Sequence, residues 1–139
     1  MKKVFVDTDV VLDLLLEREP FWQQSAALFT LAHRRAVSVH LSAVTFSTLY
    51  YFLRKYKGAA QARAKLSGLR SIVTVLPTDV MIVDQAIASR FADFEDAVQY
   101  YTALGSDMDV LVTRNTSDFK QAELPVNTPD AFLKTFTDR

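Results

Sequence analysis

The run Val4-Phe5-Val6-Asp7-Thr8-Asp9-Val10-Val11-Leu12-Asp13 decides how this chain folds. Val4, Phe5 and Val6, two β-branched residues around an aromatic one, have the makeup of a buried parallel strand. From Val10 to Glu17 the length and spacing are those of a helix. Asp7 and Asp9 therefore sit at a strand-to-helix junction, at the edge where open α/β sheets place their ligands. The counterpart of such an anionic pair is a hard divalent cation such as Mg²⁺. The first expectation is metal-dependent chemistry on a phosphate substrate.

Outward from this junction the same alternation repeats. The pattern predicts strand 3–7, helix 9–17 and a helix from Trp22 to Arg35. Val37 to Leu41 alternate as a strand, and Ser42 caps a helix running to Tyr56. Gly58 breaks that helix and Ala59 to Leu69 form another. Ile72 to Leu76 read as a strand, followed by a helix to Phe91 capped by Thr78 or Asp79. Asp93 opens a helix through Leu104, and Asp109 to Thr113 form a fourth strand. A loop, an extended stretch near Val126 and a helix from Pro129 complete the chain. Strands alternating with helices predict an α/β fold with a mostly parallel sheet of four to five strands.

The composition suits that reading. The chain has 139 residues, enough for one domain with a real core, so residues 1–139 are read as a single domain. Cysteine is absent, which excludes disulfides and thiolate metal sites. Asp7 interrupts the first apolar stretch too early for a signal peptide, and no run is long enough to span a bilayer. A cytoplasmic protein without a membrane partner is expected. Net charge is zero, but it is unevenly distributed. From Pro20 to Thr78 there is no Asp or Glu, while Arg34, Arg35, Arg54, Lys55, Lys57, Arg63, Lys65 and Arg70 all lie there. All acids fall before or after that segment, so one cationic and one anionic region are expected. The plainer account is that these cations solvate the outer faces of two helices.

The acids themselves converge. Asp7 ends the first strand, Asp93 and Asp96 share one face of a helix's first turn, and Asp118 follows the fourth strand. In a parallel sheet all of these face one rim, where clustered carboxylates repel unless a cation neutralises them. Each also has a plainer account. Asp93 suits an N-cap, and Asp96 suits the helix dipole. Asp13 and Glu17, at i and i+4, are expected to be solvated, as are Asp107 and Asp109 at the strand's other end. His33 and His40 lack a second ligand at metal spacing. Phe46, Leu49, Tyr50 and Leu53 recur at helical spacing and read as core. Tyr51, Tyr56, Tyr100 and Tyr101 could stack on bases, with packing the simpler role for most.

Three segments together carry a family resemblance: Val4 to Asp13, the helix start Asp93-Phe94-Glu95-Asp96-Ala97, and Val112-Thr113-Arg114-Asn115-Thr116-Ser117-Asp118-Phe119. Across essentially its whole length the chain resembles the PIN-domain proteins, the ribonuclease fold of VapC-type toxins. The resemblance implies a three-layer α/β/α sandwich and a Mg²⁺- or Mn²⁺-dependent endoribonuclease acting on RNA. It maps the catalytic, metal-binding acids onto Asp7, Asp96 and Asp118, with Thr113 and Asn115 as polar groups beside them. On this reading Arg54, Lys55, Lys57, Arg63 and Lys65 steer the RNA backbone. It also implies a homodimer and, for toxin members, a small antitoxin. Two positions depart from the pattern. Asp9 stands where the family usually has Asn, and Thr48 stands where toxin-type members place a Glu. No acid near Thr48 in sequence can replace that Glu. A non-catalytic PIN module binding RNA or a protein partner is therefore the alternative. Asp7-Thr8-Asp9, with Ser42 as a second motif, also resembles haloacid dehalogenase-like phosphatases.

Overall fold

The computed structural model describes residues 1–137. Its frame is a sheet of five strands: β1 (Lys2–Val6), β2 (Val37–Ser42), β3 (Thr74–Leu76), β4 (Val110–Val112) and β5 (Val126–Asn127). All neighbours pair in parallel, in the order β3-β2-β1-β4-β5. Val4 is opposite Val39 on one side and Val110 on the other. The expected four to five mostly parallel strands are thus five, all parallel.

Strand periodicity sorts the side chains into two layers. Val4 and Val6 join Val37, Val39, Leu41, Val110 and Val112 in the larger core. Helices α1 (Thr8–Leu15), α2 (Trp22–His33), α3 (Ala43–Lys57), α4 (Ala59–Arg70) and α7 (Pro129–Thr137) contribute to that core through Leu12, Leu28, Leu49, Leu69 and Phe132. Phe5 and Leu111 point the other way, against Tyr100 and Ala103 of α6 (Phe94–Gly105). Helix α5 (Val80–Ala88) packs on α6 through Ala86, Ala97 and Val98. Leu49 and Leu53 are buried as expected, with Phe46 and Tyr50 packed against them.

Expected boundaries shift, or are settled between two candidates, for local reasons. Helix α1 stops at Leu15 because Glu17 turns left-handed (φ 51°) and Arg18 N–H closes onto the Asp13 carbonyl at 3.0 Å. Ile72 and Val73 precede β3 because Ile72 N–H bonds back to the Leu69 carbonyl and Arg70 takes the Val73 carbonyl. Asp79 caps α5 by accepting from Ile82 N–H at 3.0 Å, while Thr78 bonds Ser42 and Thr102 instead. The topology then places the site. From β1 the strand order runs outward to β2 and β3 on one side and to β4 and β5 on the other, so the switch falls between β1 and β4 and a crevice opens at their carboxyl ends.

Candidate active site

Asp7 stands in that crevice. Its backbone holds the N-cap position of α1 (φ −64°, ψ 146°), yet its side chain makes no capping bond. Instead Oδ1 accepts from Gln99 Nε2 at 2.9 Å and Oδ2 from Thr113 Oγ1 at 2.7 Å. Both donors are themselves fixed. Asn115 N–H donates to Thr113 Oγ1 at 3.1 Å, leaving that hydroxyl's proton for Asp7. Gln99 Oε1 accepts from Thr8 N–H at 3.0 Å and from Thr8 Oγ1 at 3.2 Å, so its amide has one satisfiable orientation. Thr45 of α3 meets Thr8 Oγ1 at 3.0 Å and closes the buried network. Burial pushes the Asp7 carboxyl up to about 6, although the Thr113 and Gln99 bonds pull down; Asp9 and Glu95 add to the rise.

Asp96 faces the same crevice from the first turn of α6. Burial, and then the charges of Asp7, Asp93, Asp118 and Glu95, push its carboxyl up to about 7. A shift from so many neighbours marks a shared negative field. Asp93 is the N-cap of α6, its Oδ2 accepting from Asp96 N–H at 3.0 Å, so it lies before the helix and not on its face. Asp118 lies exposed in the short helical turn Thr116–Phe119. Asp9 turns toward Arg18, with Nη2 at 3.7 Å from its carboxylate. Among the described residues no three His, Asp or Glu side chains stand close enough to hold one ion as they are.

Two readings of the sequence are corrected. Asp13 is fully buried, not solvated: Arg114 grips it through Nε at 2.7 Å and Nη2 at 3.2 Å, and Arg18 Nε adds a bond at 2.9 Å. The guanidinium of Arg114 also stacks 4.1 Å over Phe21. Nor is Thr48 without an acidic neighbour, because its Oγ1 donates to Glu95 Oε2 at 3.2 Å across from α6. Gln99, Arg114 and Glu95 are the site residues that the sequence did not reveal. Gln99 carried a signal, lying three residues after Asp96 on the same helical face.

The expected cations follow Thr48 along the α3–α4 hairpin. Arg54, Lys55, Lys57 and Arg63 are exposed and Lys65 is half-buried. Arg63 lies 5.5 Å from the Tyr50 ring and Lys55 5.5 Å from the Tyr56 ring. Arg54 is six residues beyond Thr48, roughly 9 Å along the axis at helical rise. Tyr51 and Tyr56 are exposed, whereas Tyr100 is buried among Phe91, Tyr101 and Met108. Ser42 caps α3 by accepting from Val44 N–H at 3.1 Å. A cleft at the opposite edge of the sheet, lined by Met1, Arg35, Ser38 and Ser71, contains no acid.

The family model for the PIN domain matches residues 3–117. The chain belongs to the PIN-domain family. The match takes in Asp7, Thr48, Glu95, Asp96 and Gln99 and stops one residue before Asp118. Ribonuclease VapC1 of Aquifex aeolicus is 25% identical over 138 residues, covering 96% of this chain and 94% of that protein. DNA-bound VapBC from Salmonella typhimurium contains a chain of similar fold, with a TM-score of 0.71, 20% identity, and coverage of 93% of this chain and 99% of that one. A toxin-antitoxin complex from Klebsiella pneumoniae gives 0.67 at 23% identity, covering 91% and 97%. PIN membership favours the nuclease fold over the phosphatase resemblance. No helix among the described residues is long and apolar enough to cross a membrane.

Proposed function

We propose that this PIN domain is a Mg²⁺- or Mn²⁺-dependent endoribonuclease whose metal-binding acids are Asp7, Asp96 and Asp118. The observation that carries the reading is Asp7 itself: a buried carboxylate, released from capping and held by Gln99 and Thr113, beside an Asp96 that feels its charge. A structural N-cap would spend its oxygens on α1, as Asp93 does on α6. The donor set also fits the ion, being all oxygen and hard, with a repulsion that a cation would relieve. The similarity to Ribonuclease VapC1 agrees with the substrate class.

When bound, the ion would stabilise charge on the scissile phosphate and activate an attacking water. Gln99 and Thr113 keep Asp7 in one orientation, so an incoming cation meets a fixed ligand. Half-buried Asp96 and exposed Asp118 would have to turn toward it, since the three do not stand at ligating distance together. Arg54, Lys55, Lys57, Arg63 and Lys65 bind the RNA backbone. The test is incubation with structured RNA and Mn²⁺ or Mg²⁺. Metal-dependent cleavage, lost in Asp7→Ala and in Asp96→Ala, is the expected outcome; cleavage that survives both substitutions overturns the assignment.

One observation favours the second reading, a non-catalytic module: the acids do not stand at ligating distance together. RNA binding without metal-dependent cleavage would select it. The partner proposals are a second copy and a small antitoxin. Helix α5 supports the former, because Val80, Met81 and Ile87 are exposed, as is nearby Phe94. An Ile87→Lys chain that keeps the wild-type mass in solution would count against pairing through that face. The VapBC and toxin-antitoxin complexes among its structural relatives support the latter.

A further inference from the structure

Helix α3 has no acid, and no Asp or Glu occurs anywhere from Pro20 to Thr78. Where α3 approaches the crevice it offers Thr48, and the Thr48 hydroxyl donates to Glu95 Oε2 at 3.2 Å. Glu95 and Asp96 are consecutive in α6 and diverge by about 100° around its axis, so a single helical face cannot present both. Glu95 nevertheless belongs to the crevice by position: it lies one helical turn before Gln99, which donates to Asp7 Oδ1 at 2.9 Å, and its partner Thr48 lies one turn after Thr45, which joins the network under Asp7. Its longer side chain leans from α6 toward α3, and the hydroxyl holds it there.

We propose that Glu95 is the fourth acid of the metal site, delivered from α6 to the α3 side of the crevice, with Thr48 as its positioning residue. This rests on the metal-dependent reading above and reverses the expectation drawn from Thr48. The charge is relocated, not lost. A simpler role is available to Glu95, since an acid in the first turn favours the helix dipole. That role requires no partner on α3 and no half-buried position one turn from Gln99. The two roles also differ in sign without metal. A dipole acid stabilises the ion-free protein, whereas an acid crowded against other carboxylates destabilises it.

The experiment is calorimetric titration of the full chain with Mn²⁺, paired with melting temperatures with and without the ion. Wild type, Asp7→Asn, Glu95→Gln, Thr48→Val and the double variant Thr48→Glu/Glu95→Gln are compared. Glu95→Gln is expected to weaken Mn²⁺ binding about tenfold or more while leaving the ion-free melting temperature unchanged or higher. Thr48→Val should weaken binding a few-fold. Thr48→Glu in the Glu95→Gln background should recover most of the affinity, because it restores a carboxylate on the α3 side. If wild type binds Mn²⁺ and Asp7→Asn loses it while Glu95→Gln and Thr48→Val bind as wild type, the role of Glu95 is overturned and the metal reading stands. If Glu95→Gln lowers the ion-free melting temperature without weakening Mn²⁺ binding, Glu95 serves the helix alone. If wild type binds no Mn²⁺, both this inference and the metal reading fall.

Discussion

A carboxylate buried at 4% exposure with no cationic partner is a poor way to stabilise a protein, and Asp7 is such a group. Its two hydrogen bonds do not offset desolvation, which is why its carboxyl is pushed up to about 6. The sign of the consequence follows from linkage. An acid whose folded-state pKa lies above its unfolded value binds more protons when folded, so stability is greatest below the unfolded value of 3.8 and falls as pH rises through the folded one. Asp96, pushed up to about 7, adds in the same direction. Without divalent ions the protein should therefore lose stability between about pH 4 and pH 7. Asp7→Asn, which removes the buried charge and keeps the shape, should raise ion-free stability at pH 8 by on the order of 2 kcal/mol. Denaturant unfolding in EDTA at pH 5 and pH 8 measures both effects. A wild type more stable at pH 8 would show that Asp7 and Asp96 are not the strained acids described here.

At the level of elements, strands and helix starts were legible in the sequence, and helix ends were less so. β1, the Ser42 cap of α3 and the Asp93 cap of α6 follow local rules, and the structure agrees with them. Helices α1, α2 and α6 end in the same motif, with Glu17, Arg35 and Asp107 left-handed at φ 51°, 60° and 56°. Each is followed by an N–H that reaches back five residues, Arg18 to Asp13, Ala36 to Leu31 and Met108 to Ala103. Glycine usually marks such an end. Without it, the apolar pattern extended α1 and α2 by two residues each. A non-glycine residue held left-handed is strained, so Arg35→Gly, exposed and remote from the crevice, should stabilise by about 0.5–1 kcal/mol, read as a shift in denaturant midpoint. The harder misses were pairings between elements. Asp13 looked like a solvated i, i+4 partner of Glu17, because nothing local announces an Arg114 about a hundred residues later. That pair ties α1 to the loop carrying Thr113, Asn115 and Asp118. Asp13→Asn should cost about 3 kcal/mol, the lower end for a broken buried pair, since Arg114 keeps some water. A loss under about 1 kcal/mol would mean that the pair is idle.

Over the whole molecule, zero net charge conceals two regions of opposite sign that share helix α3. At its start, Thr45 joins the network under Asp7 and Thr48 bonds Glu95. At its end come Arg54, Lys55 and Lys57, with Arg63 and Lys65 on α4. A polyanion therefore meets repulsion at the acids and attraction about two helical turns away. On the proposed function, RNA would be held by the hairpin, and a divalent ion would be needed before its phosphate could enter the crevice. The two halves can be separated experimentally. In EDTA, where no cleavage competes, binding of a single-stranded RNA by Asp7→Asn should weaken linearly on a log–log plot against salt. Each phosphate contact contributes about −0.7 to the slope. Arg54→Ala combined with Lys55→Ala should flatten the slope by about 1.4 if both side chains contact phosphates. Adding Mn²⁺ to wild type should strengthen RNA binding through the acidic half, an effect that Asp7→Asn should lack. A slope unchanged by the double substitution would move the RNA off this hairpin while leaving the acidic crevice untouched.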